Sequence, residues 1–334
     1  MAITNSLPKT FGRDGTAILL LALLLRIPFY IISSSHPQER QHTEDSRGYL
    51  ELAQNLNQGL GFGRYFDTND VQKSSVQTKS AQTNSVQTSA QTEVWVPEFC
   101  RTPGYPWLIA KLDREPTQNA QGTILLQQFI EIMLCLTVFT TCYLSFGRVP
   151  GIITGGLMAL DVQGITLANM LLSEMTFTAC FIAAALTATR LFKKNALMWA
   201  VVTGLLIGVS ALIRPTTLYL GAFTGLFLVG AAIWHRRWVH LATAVILIGT
   251  AYAPIVGWMA RNKSQCGSFS LTSMSQCGAL GQAGAALAKA KGISLRAGLD
   301  EVGDRAGVGF WRLRFLAISP EEKKASCRAR AVRC

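Results

Sequence analysis

Long apolar stretches separated by short polar breaks dominate the pattern along this chain. A helix needs about 20 mostly apolar residues to cross a bilayer. Stretches that reach or approach this length are 16–33, 122–146, 150–166, 172–191, 196–213, 215–233 and 239–258. The pattern predicts an all-α protein, a polytopic transmembrane helical bundle with about seven spans. The third and fourth stretches are short, so a broken pair that dips to the outer surface, interrupted near Asn169, is the open alternative.

Basic residues between the apolar stretches indicate the orientation of the bundle. Lys9 and Arg13 precede the first stretch, and no small-residue cleavage site follows it, so we expect an uncleaved helix with its N-terminus inside. The segments that are then cytoplasmic hold Arg148, Arg190, Lys193, Lys194, Arg236 and Arg237. This distribution agrees with the excess of basic residues on the cytoplasmic side of membrane proteins.

Two polar parts of the chain are predicted to lie outside the membrane. The first is a large extracytoplasmic loop over residues 34–121, with a low-complexity insertion of Ser-Val-Gln-Thr and Ser-Ala-Gln-Thr units over 74–92. Such a tract buries too little apolar surface to fold alone. The second is a span-free basic tail over 261–334, so the predicted domains are a transmembrane domain over 1–260 and this tail.

Composition supports a membrane protein and argues against other classes. The chain is 49% hydrophobic and only 15% charged, whereas soluble domains carry about 25% charged residues. The net charge is +12, and the tail contributes +8 of it, with 13 Lys and Arg against 5 Asp and Glu. No nucleic-acid-binding motif accompanies these basic residues, so nucleic acid is not an expected partner.

Charged residues at the two ends of the first loop are the main candidates for chemistry. Asp45 follows the first span, where a carboxylate can take a proton from an acceptor hydroxyl or amine as general base. Arg101 heads the run Arg-Thr-Pro-Gly-Tyr-Pro, and its guanidinium suits a phosphate. Simpler interpretations are an acid at a helix N-terminus for Asp45, and an interfacial arginine beside an aromatic belt of Tyr105 and Trp107.

Further ionisable residues lie within the predicted spans or at their ends. Glu174 and Arg214 are at the outer ends of the fourth and fifth spans, where they either face a shared cavity or anchor the helices at the interface. Arg26, inside the first span, is expected either to pair with Glu131 in the second span or to extend its charge to the interface.

A resident cofactor is not predicted with certainty. The chain contains no Gly-rich phosphate loop and no Cys or His spacing typical of a metal site. A divalent metal is the candidate we consider, bound by His42 together with Glu44 or Asp45.

Several motifs, in a fixed order, connect the chain to a known family. The matching residues are Asp45, Tyr49, Ala53, Leu56, Gly59, Gly61 and Phe62, then Arg101–Pro106, Ala159–Asp161, Asn169–Glu174, Ala211–Pro215 and Trp258–Asn262. Over roughly residues 16–275 the chain resembles the bacterial membrane glycosyltransferases of the GT-C type. These are related to the dolichyl-phosphate-mannose protein mannosyltransferases and the lipid A aminoarabinose transferase.

The resemblance implies a function and a set of site residues. The enzyme would move a sugar from a polyprenyl-phosphate donor to a glycan, lipid or protein acceptor, at the outer face of the bacterial cytoplasmic membrane. Asp45 would be the catalytic base, and Arg101 would hold the donor phosphate. The other members of the implied substrate-binding set are Tyr49, Tyr105, Glu174 and Arg214.

Two alternatives to an active transferase stay open from the sequence. Relatives have more spans and a larger C-terminal part, so the chain is alternatively an inactive, truncated remnant of such an enzyme. A membrane transporter is the second alternative, although paired repeats or matching broken helices, which are typical of transporters, are not evident.

Overall fold

The computed structural model describes residues 9–38, 40, 43–67, 93–115, 120–193 and 195–305. The helices, in chain order, are α1 Lys9–Ser35, α2 Glu44–Asn57, α3 Gly104–Leu112, α4 Gln121–Phe146, α5 Arg148–Ala159, α6 Val162–Asn169, α7 Glu174–Ala188, α8 Ala196–Ile213, α9 Leu220–His235, α10 Trp238–Cys266, α11 Met274–Lys291 and α12 Leu295–Arg305. The first loop also contains two strands, β1 Gly63–Asp67 and β2 Glu93–Pro97, and a 3₁₀ turn over Pro215–Thr217 precedes α9.

The described helices confirm a polytopic transmembrane bundle. Helices long and apolar enough to cross a membrane occupy Thr10–Ser35, Gln121–Phe146, Ala196–Ile213, Pro215–His235 and Trp238–Gln265, and α5 with α6 forms one further candidate. The remaining predicted span corresponds to α7, which has 15 residues, fewer than the roughly 20 that a crossing usually needs. Five or six candidate spans are therefore present in this part of the chain, and the predicted count of seven is not confirmed.

The candidate span formed by α5 and α6 is bent by 45°. The bend occurs at Asp161, whose carboxylate accepts hydrogen bonds from the amides of Gln163 and Gly164 at 3.1 and 3.0 Å. Asp161 has an extended backbone conformation and caps the new helix, so the axis of α5 does not continue into α6. The break therefore lies within the third predicted span, before the interruption expected near Asn169.

A short antiparallel ribbon joins the two halves of the first loop. β1 pairs with β2 so that Gly63 lies opposite Pro97 and Asp67 lies opposite Glu93. The predicted low-complexity insertion over 74–92 lies outside the described residues, between the two strands. Because loop-closure entropy grows slowly with length, an insertion of this size need not prevent the strands from pairing.

Small residues let the last spans approach closely. A Cβ on Gly204 of α8 would lie 2.6 Å from the carbonyl oxygen of Leu247 in α10, and one on Gly208 would lie 2.5 Å from the carbonyl oxygen of Ala251. Close backbone approach is a main source of packing energy between helices in lipid. These glycines therefore determine how tightly α8 and α10 pack.

A buried ion pair holds the first spans together. Arg26 in α1 and Glu131 in α4 are each 1% exposed, and Nε of Arg26 donates to Oε2 of Glu131. The same guanidinium donates to the carbonyl oxygens of Met158 and Ala159 at the end of α5, at 3.3 and 2.9 Å. Because an uncompensated charge in an apolar bundle is costly, these contacts fix α1, α4 and α5 relative to one another. Of the two interpretations of Arg26, pairing with Glu131 is confirmed.

Beyond α10 the chain folds into two helices that are not candidate spans. Asn262 stabilises the turn after α10 by donating to the carbonyl oxygens of Ser270 and Leu271, at 2.9 and 3.1 Å. α11 and α12 then pack so closely that a Cβ on Gly298 would lie 2.4 Å from the carbonyl oxygen of Gly284. The described part of the predicted tail thus contains no span, and residues 306–334 lie outside the described part.

Replacement of Arg26 by Met leaves Glu131 as a buried charge without its partner, so we expect the free energy of unfolding to fall by about 3–5 kcal/mol. Replacing both residues by Met should recover most of this loss, because apolar side chains of similar volume often substitute for a buried ion pair at little cost. Thermal unfolding of the detergent-solubilised protein measures both effects. A double variant as unstable as the single one would contradict this account of the pair.

Candidate active site

The chain enters the site through α2, which begins at a side-chain cap. Thr43 has an extended backbone conformation, and its hydroxyl accepts a hydrogen bond from the amide of Ser46 at 3.1 Å. Asp45 therefore lies in the first helical turn, where the helix dipole favours an acid. This agrees with the simpler interpretation of Asp45, but its side chain also has a distant partner.

The second half of the loop is fixed to the end of α8. The hydroxyl of Thr102 donates to the carbonyl oxygen of Ile213 at 2.9 Å. A Cβ on Gly104 would lie 2.7 Å from the carbonyl oxygen of Leu212, so glycine is required where α3 begins. The Arg-Thr-Pro-Gly run thereby fixes Arg101 at the end of the bundle that carries α2, the ribbon and α3, which we call the loop end.

Arg261, in the last turns of α10, fixes the ribbon to the bundle. Its guanidinium donates to the carbonyl oxygens of Phe62 and Glu98 at 2.8 and 2.9 Å, beside the ends of both strands. It also lies 4.8 Å from the centroid of the Trp258 ring, a distance at which a cation and an aromatic face attract. The ribbon is thus attached to the bundle independently of α2.

At the loop end, Asp45 and Arg101 form an ion pair. Nη2 of Arg101 donates to Oδ1 of Asp45 at 2.7 Å. The two side chains differ in exposure, since Arg101 is 7% exposed and Asp45 is 47% exposed. The carboxylate therefore lies between a buried cation and solvent.

The other sides of the Arg101 guanidinium are closed by protein. The ring of Tyr49 lies 5.7 Å from its Cζ, a Cβ on Gly48 would lie 2.8 Å from the same atom, and Oε2 of Glu98 is 4.0 Å from Nη1. Burial lowers the pKa of Arg101, but the charges of Glu98 and Asp45 together raise it above its ordinary value. The guanidinium stays charged, and Asp45 on its Nη2 side is far more exposed than Glu98 on its Nη1 side.

Two tyrosines connect this ion pair to the bundle. The rings of Tyr49 and Tyr105 meet edge to face with centroids 5.0 Å apart. The hydroxyl of Tyr105 is fully buried and donates to Oε1 of Gln127 at 2.5 Å. Burial raises the pKa of both tyrosines, so both stay neutral at ordinary pH. The buried ring of Tyr105 thus packs against Tyr49 on the side that faces the protein interior.

Glu174 and Arg214 form a second ion pair beside the first. Nη1 of Arg214 lies 2.5 Å from Oε1 of Glu174, and both side chains are about one-third exposed. Oε2 of Glu174 and the hydroxyl of Thr176 are buried and have no hydrogen-bond partner within the part of the chain that the structure describes. The ring of Tyr49 lies beside Arg101 of the first pair, and the charge of Arg214 in the second pair also acts on its hydroxyl, so Tyr49 lies near both ion pairs.

The structure thus brings every predicted site residue to one end of the bundle, although their roles stay predictions. For the metal candidate, the side chains of His42 and Glu44 lie outside the described residues. Among the residues that the structure does describe, no group of three or more His, Cys, Asp or Glu side chains could hold a metal ion.

Sequence reasoning missed three residues around Arg101, namely Gly48, Arg64 and Glu98. Glu98 stands three positions before Arg101 and Gly48 three positions after Asp45, so closeness to the two motifs was the available signal. Nη2 of Arg64 donates to the carbonyl oxygen of Gly48 at 3.1 Å. This contact depends on how β1 pairs with β2, so the sequence near Arg64 carries no such signal.

Part of the chain that includes most of the site residues is similar to one known protein family. The family model for dolichyl-phosphate-mannose-protein mannosyltransferase matches residues 100–258, just under half of the chain. The matched part begins beside Arg101 and includes Glu174 and Arg214, and Asp45 precedes it. No curated protein and no solved structure matches the chain.

The match confirms the resemblance to membrane glycosyltransferases of the GT-C type. Together with the apolar helices, it supports a multi-pass membrane glycosyltransferase.

Tyr105→Phe removes the hydroxyl that donates to Gln127 and leaves a buried amide oxygen without this donor. We expect the free energy of unfolding to fall by about 1–3 kcal/mol. Tyr219→Phe is the matched control, because that side chain is 67% exposed, and it should change stability by less than about 0.5 kcal/mol. Thermal unfolding in detergent compares the two, and equal stabilities would contradict a stabilising bond between Tyr105 and Gln127.

Proposed function

We propose that this protein transfers a sugar from a polyprenyl-phosphate donor to an acceptor at the outer face of the bacterial cytoplasmic membrane. The observation that carries the proposal is the Asp45–Arg101 pair, a half-exposed carboxylate on a buried cation at the end of an apolar bundle. The family match supports the class of reaction. A lipid donor is consistent with a site that adjoins membrane helices.

The distribution of charge supports action at the outer face. Arg190, Arg236 and Arg237 lie in the turns at the opposite end of the bundle from the site. Arg148 lies there too, where Nε and Nη2 donate to Asp14 at 2.7 and 3.0 Å. Since basic turns favour the cytoplasmic side, the loop end would face outward.

The two charged groups suit the two charge changes of sugar transfer. The bond between the anomeric carbon and the phosphate oxygen breaks, and negative charge remains on the departing polyprenyl phosphate, which Arg101 would stabilise. The acceptor loses a proton from its hydroxyl or amine as it bonds to the anomeric carbon, and Asp45 would take that proton.

The geometry also supports an order of events. Asp45 is the exposed partner of Arg101, so a phosphate that reaches this guanidinium from solvent would displace the carboxylate. A carboxylate that has left its cation has both oxygens available to an acceptor hydroxyl or amine. Donor binding would therefore release Asp45 for its role as base.

The second ion pair suits the sugar. Oε2 of Glu174 is a buried acceptor with no hydrogen-bond partner among the described residues, and a sugar hydroxyl is a donor that would fill this position. Arg214 holds the other carboxylate oxygen and so fixes the orientation of Glu174. We propose that this pair contacts the sugar while Arg101 binds the phosphate.

Asp45→Asn should abolish sugar transfer while the protein still inserts and folds, because the amide cannot act as general base. A loss of about 10²–10⁴-fold is the size expected for removal of a general base. The measurement is transfer from radiolabelled polyprenyl-phosphate sugar in membranes that contain the full chain. Glu115→Gln, an exposed carboxylate of the same loop, is the control and should keep full activity.

Transfer that persists in Asp45→Asn would exclude Asp45 as the base. Absence of transfer in the wild type, with the protein stably inserted, would contradict the proposed function and favour an inactive remnant of such an enzyme.

A further inference from the structure

Two arginines bring their charges to the same side of α2. A Cβ on Gly48 would lie 2.6 Å from Nη2 of Arg64 and 2.8 Å from Cζ of Arg101, so both guanidiniums lie against the backbone of one glycine. Cations this close repel each other, most strongly where water is excluded, unless an anion shares them. Both side chains are largely buried, at 14% and 7% exposed.

Glu98 is the carboxylate that lies between them. Its Oε2 is 3.1 Å from Nε of Arg64 and 4.0 Å from Nη1 of Arg101. Its Oε1 accepts hydrogen bonds from the amides of Cys100 and Arg101, at 2.7 and 3.2 Å. Glu98 thus contacts both the backbone and the side chain of Arg101, and it is itself 9% exposed.

The ribbon determines where Glu98 and Arg64 lie. Glu98 directly follows β2, and its amide donates to the carbonyl oxygen of Phe62 at 3.0 Å. Arg64 belongs to β1, and its Nη2 donates to the carbonyl oxygen of Gly48 at 3.1 Å. The outer partner of Arg64 is Glu51, 3.2 Å from Nη1 and 43% exposed. Arg101 is therefore supported from the protein side by residues that the two strands supply.

We propose that Glu98 and Arg64 are positioning residues for Arg101, which hold its guanidinium with Nη2 toward Asp45, on the side where the donor phosphate binds. This inference rests on the proposed function, because it takes Arg101 as the phosphate ligand. Glu98 shares its charge between the two guanidiniums, and Arg64 keeps Glu98 in place. Neither residue contacts the substrate.

Loss of the Glu98 charge has two opposite effects on phosphate binding at Arg101. Removing the charge of Glu98 makes the surroundings of Arg101 more positive, which by itself strengthens phosphate binding. Removing it also leaves two neighbouring cations without their shared anion, so the guanidiniums move apart and Arg101 leaves its binding position. We expect the second effect to dominate, because both guanidiniums lie against Gly48.

The test compares Glu98→Gln with three further variants of the full chain. Glutamine keeps an oxygen for the two amide hydrogen bonds and removes the charge, and we expect the KM for the polyprenyl-phosphate sugar to rise about 10- to 100-fold, with a smaller change in kcat. Adding Arg64→Gln should recover part of this loss, because the repulsion between the two guanidiniums ends when the second cation is removed.

Gly48→Ala should raise KM as well, because the new Cβ displaces both guanidiniums without a change of charge. Glu51→Gln, which removes only the outer partner of Arg64, should leave KM within about twofold.

Equilibrium binding of a polyprenyl monophosphate to the same purified variants gives a second readout that needs no turnover. A wild type that binds this probe but transfers no sugar would contradict the proposed function, while the binding series still tests the positioning of Arg101. An unchanged or lowered KM or dissociation constant in a folded Glu98→Gln variant would overturn the proposal. A double variant weaker than Glu98→Gln alone, or a wild type that does not bind the probe, would overturn it too.

Discussion

The loop end of this protein depends on one constraint, which is that the guanidinium of Arg101 is buried. A buried cation must be paired and hydrogen-bonded, because burying an unpaired ion costs roughly several kcal/mol of desolvation free energy. Asp45 and Glu98 supply the pairing, and the two carboxylates reach Arg101 from different parts of the loop. The constraint therefore requires that α2 and the ribbon meet at the same place, and Arg261 fixes that place to α10.

Exposure to solvent distinguishes the Arg26–Glu131 pair, which is structural, from the Asp45–Arg101 pair of the candidate site. Arg26 and Glu131 have side chains that are each 2% exposed, so that neither is available to a ligand, and the pair holds helices together. In the Asp45–Arg101 pair the cation is buried and the carboxylate is half-exposed. Only the second arrangement lets an anion from outside replace one partner at low cost, because the displaced carboxylate gains water as it leaves.

The sequence predicted the class of fold and some of the residues that meet at the loop end, and physical causes explain what it could not predict. Apolar stretch length predicts spans well, but it cannot show that Asp161 restarts a helix and bends one of them. The meeting of Asp45 and Arg101 is consistent with the topology, since a loop that leaves and re-enters one membrane face brings its ends together. The position of Arg64 depends on strand pairing across residues 68–92, and no local pattern of this chain specifies that register.

The central claim is that Asp45 and the donor phosphate compete for one side of Arg101, and binding of a polyprenyl monophosphate to wild type and Asp45→Asn tests it most directly. The full chain is purified in detergent, and the dissociation constant of each variant is measured at equilibrium, with Glu115→Gln as control. The account predicts tighter binding by Asp45→Asn, because the neutral amide no longer occupies the guanidinium as an anion. Weaker or unchanged binding by a folded Asp45→Asn variant would contradict it.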